Sequence, residues 1–210
     1  MSQLKLTADG GGGTVSLKGP STTTGNAAIE LTVPGTGSAT LLTSATSTGK
    51  ILQVVQGGTN VASSASVASK ATQDTGIQVS ITPSSASSKI LIIATISGST
   101  SNAINNWAMT LQKKTGSGSF ANLTAANGAA AGNRYLSLVG TNMDNIYSMF
   151  NVNFSFLDTA GSTDTLIYRA VYFNSSGSTR TFYINRSHTD TDNNDYTRGA
   201  SWIQALEVEA

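Results

Sequence analysis

Every aromatic residue of this chain lies at or beyond Trp107, while the first forty-nine residues are mostly Gly, Ser, Thr and Ala. That division constrains the fold more than any motif does. Burial stabilises a fold by about 25 cal/mol per Å² of apolar surface removed from water. The back of the chain has bulky side chains to bury and the front has few. The front is therefore either disordered or ordered by contacts outside itself. Fixing its backbone costs roughly 1–2 kcal/mol per residue, which external contacts must offset. A chain of 210 residues has room for one good domain plus an extension. The reading is a docking and oligomerisation segment over residues 1–49 and a β domain over residues 50–210.

Composition excludes several classes of function. There is no Cys, which removes disulfides, thiol catalysis and zinc-thiolate sites together. Net charge is +1, and Lys113-Lys114 is the only adjacent basic pair, so nucleic-acid binding lacks its electrostatic footprint. The longest apolar run, Ile90 to Ile96, suits a buried strand and is far too short to span a bilayer. Met1-Ser2-Gln3-Leu4-Lys5 carries no apolar h-region, so the expectation is a soluble protein made in the cytoplasm. Only 11% of residues are charged, against about 25–35% on well-behaved designed surfaces. Ser, Thr, Asn and Gly supply the polarity instead, as suits an all-β protein partly covered by neighbours.

Period-two alternation recurs along the chain and signals strands. In the front segment Leu4 and Leu6, then Val15 and Leu17, then Ile29, Leu31 and Val33 alternate with polar residues. Gly10 to Gly13 and Pro34-Gly35 mark turns between them. These strands are too few and too light to close a core, so they are expected to pair with other chains. Further strands are expected at Ile51–Val55, Ile77–Ile81 before Pro83, Lys89–Ile96, Trp107–Leu111, Arg134–Val139, Tyr147–Leu157, Thr165–Phe173, Thr181–Arg186 and Ser201–Val208. The Ala-rich stretch Val61–Lys70 is the best helix candidate, but it lacks an apolar stripe and reads better as loop or strand. Many short strands between turn clusters predict an antiparallel β-sandwich or jelly roll.

The late strands carry apolar residues on both faces. Over Thr165–Phe173 one face holds Leu166, Tyr168, Ala170 and Tyr172, and the other Ile167, Arg169, Val171 and Phe173. Over Ser201–Val208 one face shows Trp202, Leu206 and Val208, the other Ile203 and Ala205. A lone two-layer β protein leaves its outer faces wet and alternates cleanly. Two apolar faces point to a subunit interface, with Ile167, Val171, Phe173, Trp202 and Ile203 as candidates. Scattered surface aromatics, which monomers tolerate, are the plainer alternative.

Catalytic patterns are scarce. His188 is the single histidine and reads as a surface-loop residue. No Gly-x-Ser-x-Gly elbow presents a serine. The Gly10–Gly13 run lacks the Gly-Lys-Ser/Thr ending of a phosphate loop. Asp190-Thr191-Asp192-Asn193-Asn194-Asp195-Tyr196 opens like an EF-hand, but Asp195 replaces its glycine and Ser201 its bidentate glutamate. An ordinary polar hairpin tip is the simpler reading, with a loop calcium site left open. No catalytic residue, cofactor or metal is assigned. Asp190, Asp192, Asn193, Asn194, Asp195 and Tyr196 form a candidate receptor-binding rim.

Several segments resemble tailed-bacteriophage virion proteins, above all those of marine and cyanobacterial phages. They are Gly49 to Gln56, Ile77 to Ile92, Phe156 to Thr165, and the Arg198-Gly199-Ala200-Ser201 to Glu207-Val208 ending. The front, Val15-Ser16-Leu17-Lys18-Gly19-Pro20, is similar to the openings of phage fibre-like proteins. The resemblance spans nearly the whole chain and transfers no catalytic residue. It implies a β-sandwich on a trimeric fibre or surface spike. With no long shaft, the expectation is a compact homotrimer at the virion surface: a short fibre, spike or capsid decoration. Leu4, Leu6, Val15, Leu17, Ile29, Leu31 and Val33 are expected to dock it on other capsid or tail proteins through exposed strand edges. The alternative is a receptor-binding adhesin, a fibre tip that recognises host surface glycan. Neither reading involves nucleic acid or membrane insertion.

Overall fold

The computed structural model describes residues 3–7, 14–18, 50–102, 104–129, 132–143 and 145–209, without the side chains of 3–7, 14–18, 104–106, 141 and 143. The chain divides into two units, Met1–Thr43 and Ser44–Ala210. In the first, β1 (Gln3–Thr7) and β2 (Thr14–Lys18) pair antiparallel with each other, Leu4 opposite Leu17 and Leu6 opposite Val15. Ile29, Leu31 and Val33 lie outside the described residues.

The second unit is all β. Its strands are β3 (Ile51–Thr59), β4 (Ser63–Val67), β5 (Thr72–Ile81), β6 (Lys89–Thr100), β7 (Ile104–Thr115), β8 (Ala121–Asn122), β9 (Val139–Met143), β10 (Phe150–Thr159), β11 (Leu166–Phe173), β12 (Arg180–Ile184) and β13 (Ser201–Val208). Every strand pairing among the described residues is antiparallel. The only helix among them is a single 3-10 turn, Thr124–Ala126.

β6 is the axis of the larger sheet. On one side β10 follows it from Lys89 opposite Thr159 to Gly98 opposite Phe150. Its other side is shared: β13 pairs along Lys89–Thr95, and β12 takes over along Gly98–Thr100. β3 then pairs with β13, and β4 with β12. The smaller sheet runs β5, β11, β7, with β9 and β8 sharing the far side of β7.

Alternation explains why both sheets close on one core. Ile77, Val79 and Ile81 of β5, Ile90, Ile92, Ala94 and Ile96 of β6, and Trp107, Met109 and Leu111 of β7 are buried at every second position. Leu166, Tyr168, Ala170 and Tyr172 of β11 and Ile203 and Ala205 of β13 join the same cluster. Each of the larger aliphatic side chains among them contributes about 1.5–3 kcal/mol when fully buried. The Trp107 ring bridges the two sheets, 3.9 Å from Phe150 and 6.5 Å from Phe182 between centroids. The aromatics confined to the back of the chain are thus central to the core.

Polar ties lock the sheets at their rims. Asp158 on β10 accepts hydrogen bonds from Lys113 Nζ (2.7 Å) and Tyr168 OH (2.8 Å) on β7 and β11. Burial, then the hydrogen bond to Asp158 and its negative charge, push the Tyr168 phenol up and keep it neutral. β3 lies close against β5, where an ideal Cβ built at Gly57 would stand 1.9 Å from the Gln78 carbonyl oxygen. Only glycine lets the two backbones approach so closely.

The sequence expectations differ from the structure at strand ends. Arg134–Val139 is not a strand; β9 begins at Val139. Tyr135 leaves the ladder because its ring stacks on Phe173, centroids 3.7 Å apart and 3° from parallel. β6 runs past Ile96 to Thr100, because Ser97 and Ser99 are buried but hydrogen-bonded to Ser201 and Arg186. β10 starts at Phe150 rather than Tyr147. β12 ends at Ile184, where Asn185 turns to φ 61°. Val61–Lys70 contains strand β4 and no helix.

Candidate functional site

The outward face of the larger sheet gathers most of the large apolar side chains exposed among the described residues. Register places Val54, Leu206, Leu91 and Leu157 side by side across β3, β13, β6 and β10. The next row along the strands is Gln56, Gln204, Ile93 and Ser155, and the one after it Gly58, Trp202, Thr95 and Asn153. Val54 is 58% exposed, Leu157 54%, Trp202 40% and Ile93 39%. Ile51 and Leu52, also exposed, adjoin the first row at the bulge where β3 loses register with β13. Of the eight large apolar side chains exposed among the described residues, six lie on or beside this face.

Two polar pairs on the face are hydrogen-bonded to each other. Gln204 donates to Gln56 (2.8 Å), and Thr95 donates to Asn153 (2.8 Å). Lys89, at the margin, donates to Thr159 (2.8 Å). The three rows above contain no charged side chain. A neutral face with exposed apolar side chains gains from burial.

The structure divides the five residues expected at a subunit interface. Trp202 lies on this face. Ile203, its neighbour in sequence, points the other way and is fully buried in the core. Val171 and Phe173 are also buried within the subunit, Phe173 beneath the stacked Tyr135 ring. Ile167 is half-buried. The outer face of β11 is covered from within the chain: the Arg169 guanidinium lies 3.7 Å over the Phe120 ring and bonds Asp74 at 2.6 Å. Val171, Phe173 and Ile203 therefore offer no free surface, and the second apolar face belongs to β3, β13, β6 and β10 instead. Val54, Ile93 and Leu157 are the residues sequence reasoning missed. Their signal was the apolar run of Lys89–Ile96 and the break in alternation at Leu157 after Phe154 and Phe156.

The candidate rim is only partly available for binding. Asp190 Oδ2 accepts from Arg186 Nη1 (2.7 Å) and Arg198 Nη2 (2.6 Å), so it clamps the base of its own loop. Arg186 also stacks over Tyr183, 4.3 Å from the ring centroid. Asn193 Oδ1 caps the Asp195 amide at 3.1 Å, a local turn. Asp192, Asn194 and Asp195 are exposed, and Tyr196 lies 6.4 Å from Tyr147 between ring centroids. His188 is half-buried against Tyr183, centroids 5.5 Å apart. Among the described residues, no three His, Cys, Asp or Glu side chains converge on a point that would hold a metal ion. No protein-family model matches the chain, and no curated protein matches it either.

Proposed function

We propose that this protein is a non-enzymatic structural component of a phage particle. In this reading residues 50–210 are a β-sandwich of jelly-roll type that forms a homotrimer, and residues 1–49 dock it on other capsid or tail proteins at the virion surface. The product is a short fibre, spike or capsid decoration. The observation that carries the proposal is the neutral apolar face around Val54, Ile93, Leu157 and Trp202. Isolated exposed apolar residues need no explanation, but a contiguous patch of this kind marks a protein contact. A sister subunit supplies a matching neutral surface without needing a dedicated partner. The resemblance of Gly49–Gln56, Ile77–Ile92 and the Ser201–Val208 region to phage virion proteins supplies the virus.

Imaging of intact particles, with and without the gene product, tests this reading. Density for the protein on head or tail is the expected result, and particles that carry none of it would refute the assignment. Deleting residues 1–49 is expected to leave a soluble oligomer that no longer associates with particles. A truncated protein that still decorates them would overturn the docking role of that segment.

A further inference from the structure

One edge of the larger sheet is built unlike the others. An open edge presents unpaired N–H and C=O groups that template pairing with another chain, so edge strands are normally short, bulged or broken by Lys, Pro or Gly. Among the described residues of the β domain, β3, β4, β5, β8, β9 and β10 each pair on one side only. All but β10 follow that rule. β4, β8 and β9 are five residues long or fewer. β3 carries Gly57 and Gly58 and slips register against β13. β5 carries Gly76 at φ 76° and slips register against β11.

β10 has none of these features. It pairs with β6 over ten residues in unbroken register. Phe150 to Thr159 contains no Lys, Arg, Pro or Gly. Its one charge, Asp158, sits beside the end of the strand and is tied to Lys113 and Tyr168. The core beneath this edge is also unfinished. Val152, Phe154 and Phe156 share the inward face by alternation, but only Val152 is buried and both rings are half-buried.

We propose that β10 pairs antiparallel with β10 of a second copy of this chain, about a twofold axis through Ser155. A free backbone edge takes a β-strand as its occupant, and the sequence of β10 suits pairing with itself. In this register Phe154 lies opposite the partner's Phe156, and symmetry makes that pair occur twice, which covers both half-buried rings. Asp158 lies opposite the partner's Val152, so no like charges meet. A single patch serves both chains, as a twofold contact requires. The contact uses the strand edge and not the outward face, so it stands independently of the threefold reading. One strand pair is a weak contact. It forms in concentrated protein, linking neighbouring assemblies, and dissociates on dilution.

Disulfide trapping in the full chain tests the proposal, because the sequence contains no Cys. Directly opposed residues of an antiparallel pair have Cα atoms about 4.5–5.5 Å apart, within the range a disulfide spans. Ser155 and Asn151 are both exposed, so either accepts a cysteine without disturbing the core. Ser155→Cys, oxidised at high concentration and run on a non-reducing denaturing gel, is expected to convert mainly to a two-chain species. Asn151→Cys is expected to stay a single chain, because it faces the partner's Thr159 and not its own copy. The Asn151→Cys, Thr159→Cys double variant is expected to recover the two-chain species. Adding Val54→Glu, which puts a charge on the apolar face, is expected to leave the Ser155→Cys crosslink in place. A Ser155→Cys chain that stays single, an equal yield from Asn151→Cys, no recovery in the double variant, or loss of the crosslink with Val54→Glu would each overturn the proposal.

Discussion

Glu207 and Ser84 meet at the rim of the core, where Glu207 Oε1 accepts from both the amide and the hydroxyl of Ser84 at 2.7 Å. Glu207 Oε2 accepts from Gln53 Nε2 at 2.6 Å. One buried carboxylate thus ties the last strand, β13, to β3 and to the turn that follows β5. Burial pushes the Glu207 carboxyl up, but hydrogen bonds from Gln53, Ser84 and Ser88 outweigh it and hold the group down at about 2, against an ordinary 4.5. The folded pKa is below the unfolded one, so the stabilisation is complete above about pH 4.5 and is lost as pH falls toward 2. Urea unfolding measured between pH 7 and pH 2 is expected to show this loss. Glu207→Gln should flatten that dependence and cost about 1.5–3 kcal/mol at neutral pH, the worth of charged hydrogen bonds. An unchanged acid limb in the variant would contradict the assignment.

Gly57 is expected to be among the least replaceable positions. Its hypothetical Cβ would overlap the Gln78 backbone, at 1.9 Å from the carbonyl oxygen. Gly57→Ala must force β3 and β5 apart, with a loss of about 3 kcal/mol or more. Gly177→Ala, in open space, should stay within about 0.5 kcal/mol of wild type. Paired chemical denaturation of the two variants checks the contrast.

Asn174 organises the turn after β11. Its Nδ2 donates to the carbonyls of Val67 (2.9 Å), Ala68 (3.1 Å) and Ser178 (2.9 Å), and its Oδ1 accepts from Ser176. The residue is fully buried. Asn174→Ala leaves buried carbonyls without their donor and should cost about 2–4 kcal/mol. Asn174→Asp should cost at least as much, since it adds a buried charge and still lacks the donor. Thermal melting of both variants tests the ranking.

Much of the fold was legible in the sequence, and particular residues show where legibility ended. Ile77, Val79 and Ile81 announce a strand because side chains on a pleated backbone alternate, and all three are buried. Ser97 and Ser99 gave no such signal, because their burial depends on Ser201 and Arg186, residues about ninety or more positions away. Tyr135 looked like part of a strand until its ring found Phe173. Ile203 was misplaced among the interface candidates for a related reason. Alternation shows that Ile203 and Trp202 point in opposite directions, but not which direction is inward. Only the pairing of β13 with β6 settles that Ile203 joins the core and Trp202 the outer face. Val54 and Leu157 lie more than a hundred residues apart, and their common face is a product of sheet order.

The central claim is that this face is covered by sister subunits. Light scattering coupled to size-exclusion chromatography tests it most directly, on the wild-type chain and on a Val54→Glu, Leu157→Glu double variant. Both positions are exposed, so the charges are compatible with the folded subunit. The wild type is predicted to elute at three times its 21.5 kDa chain mass and the variant at the mass of one chain, with an unchanged melting profile of the β domain. A monomeric wild type, or a double variant that remains trimeric, would contradict the account.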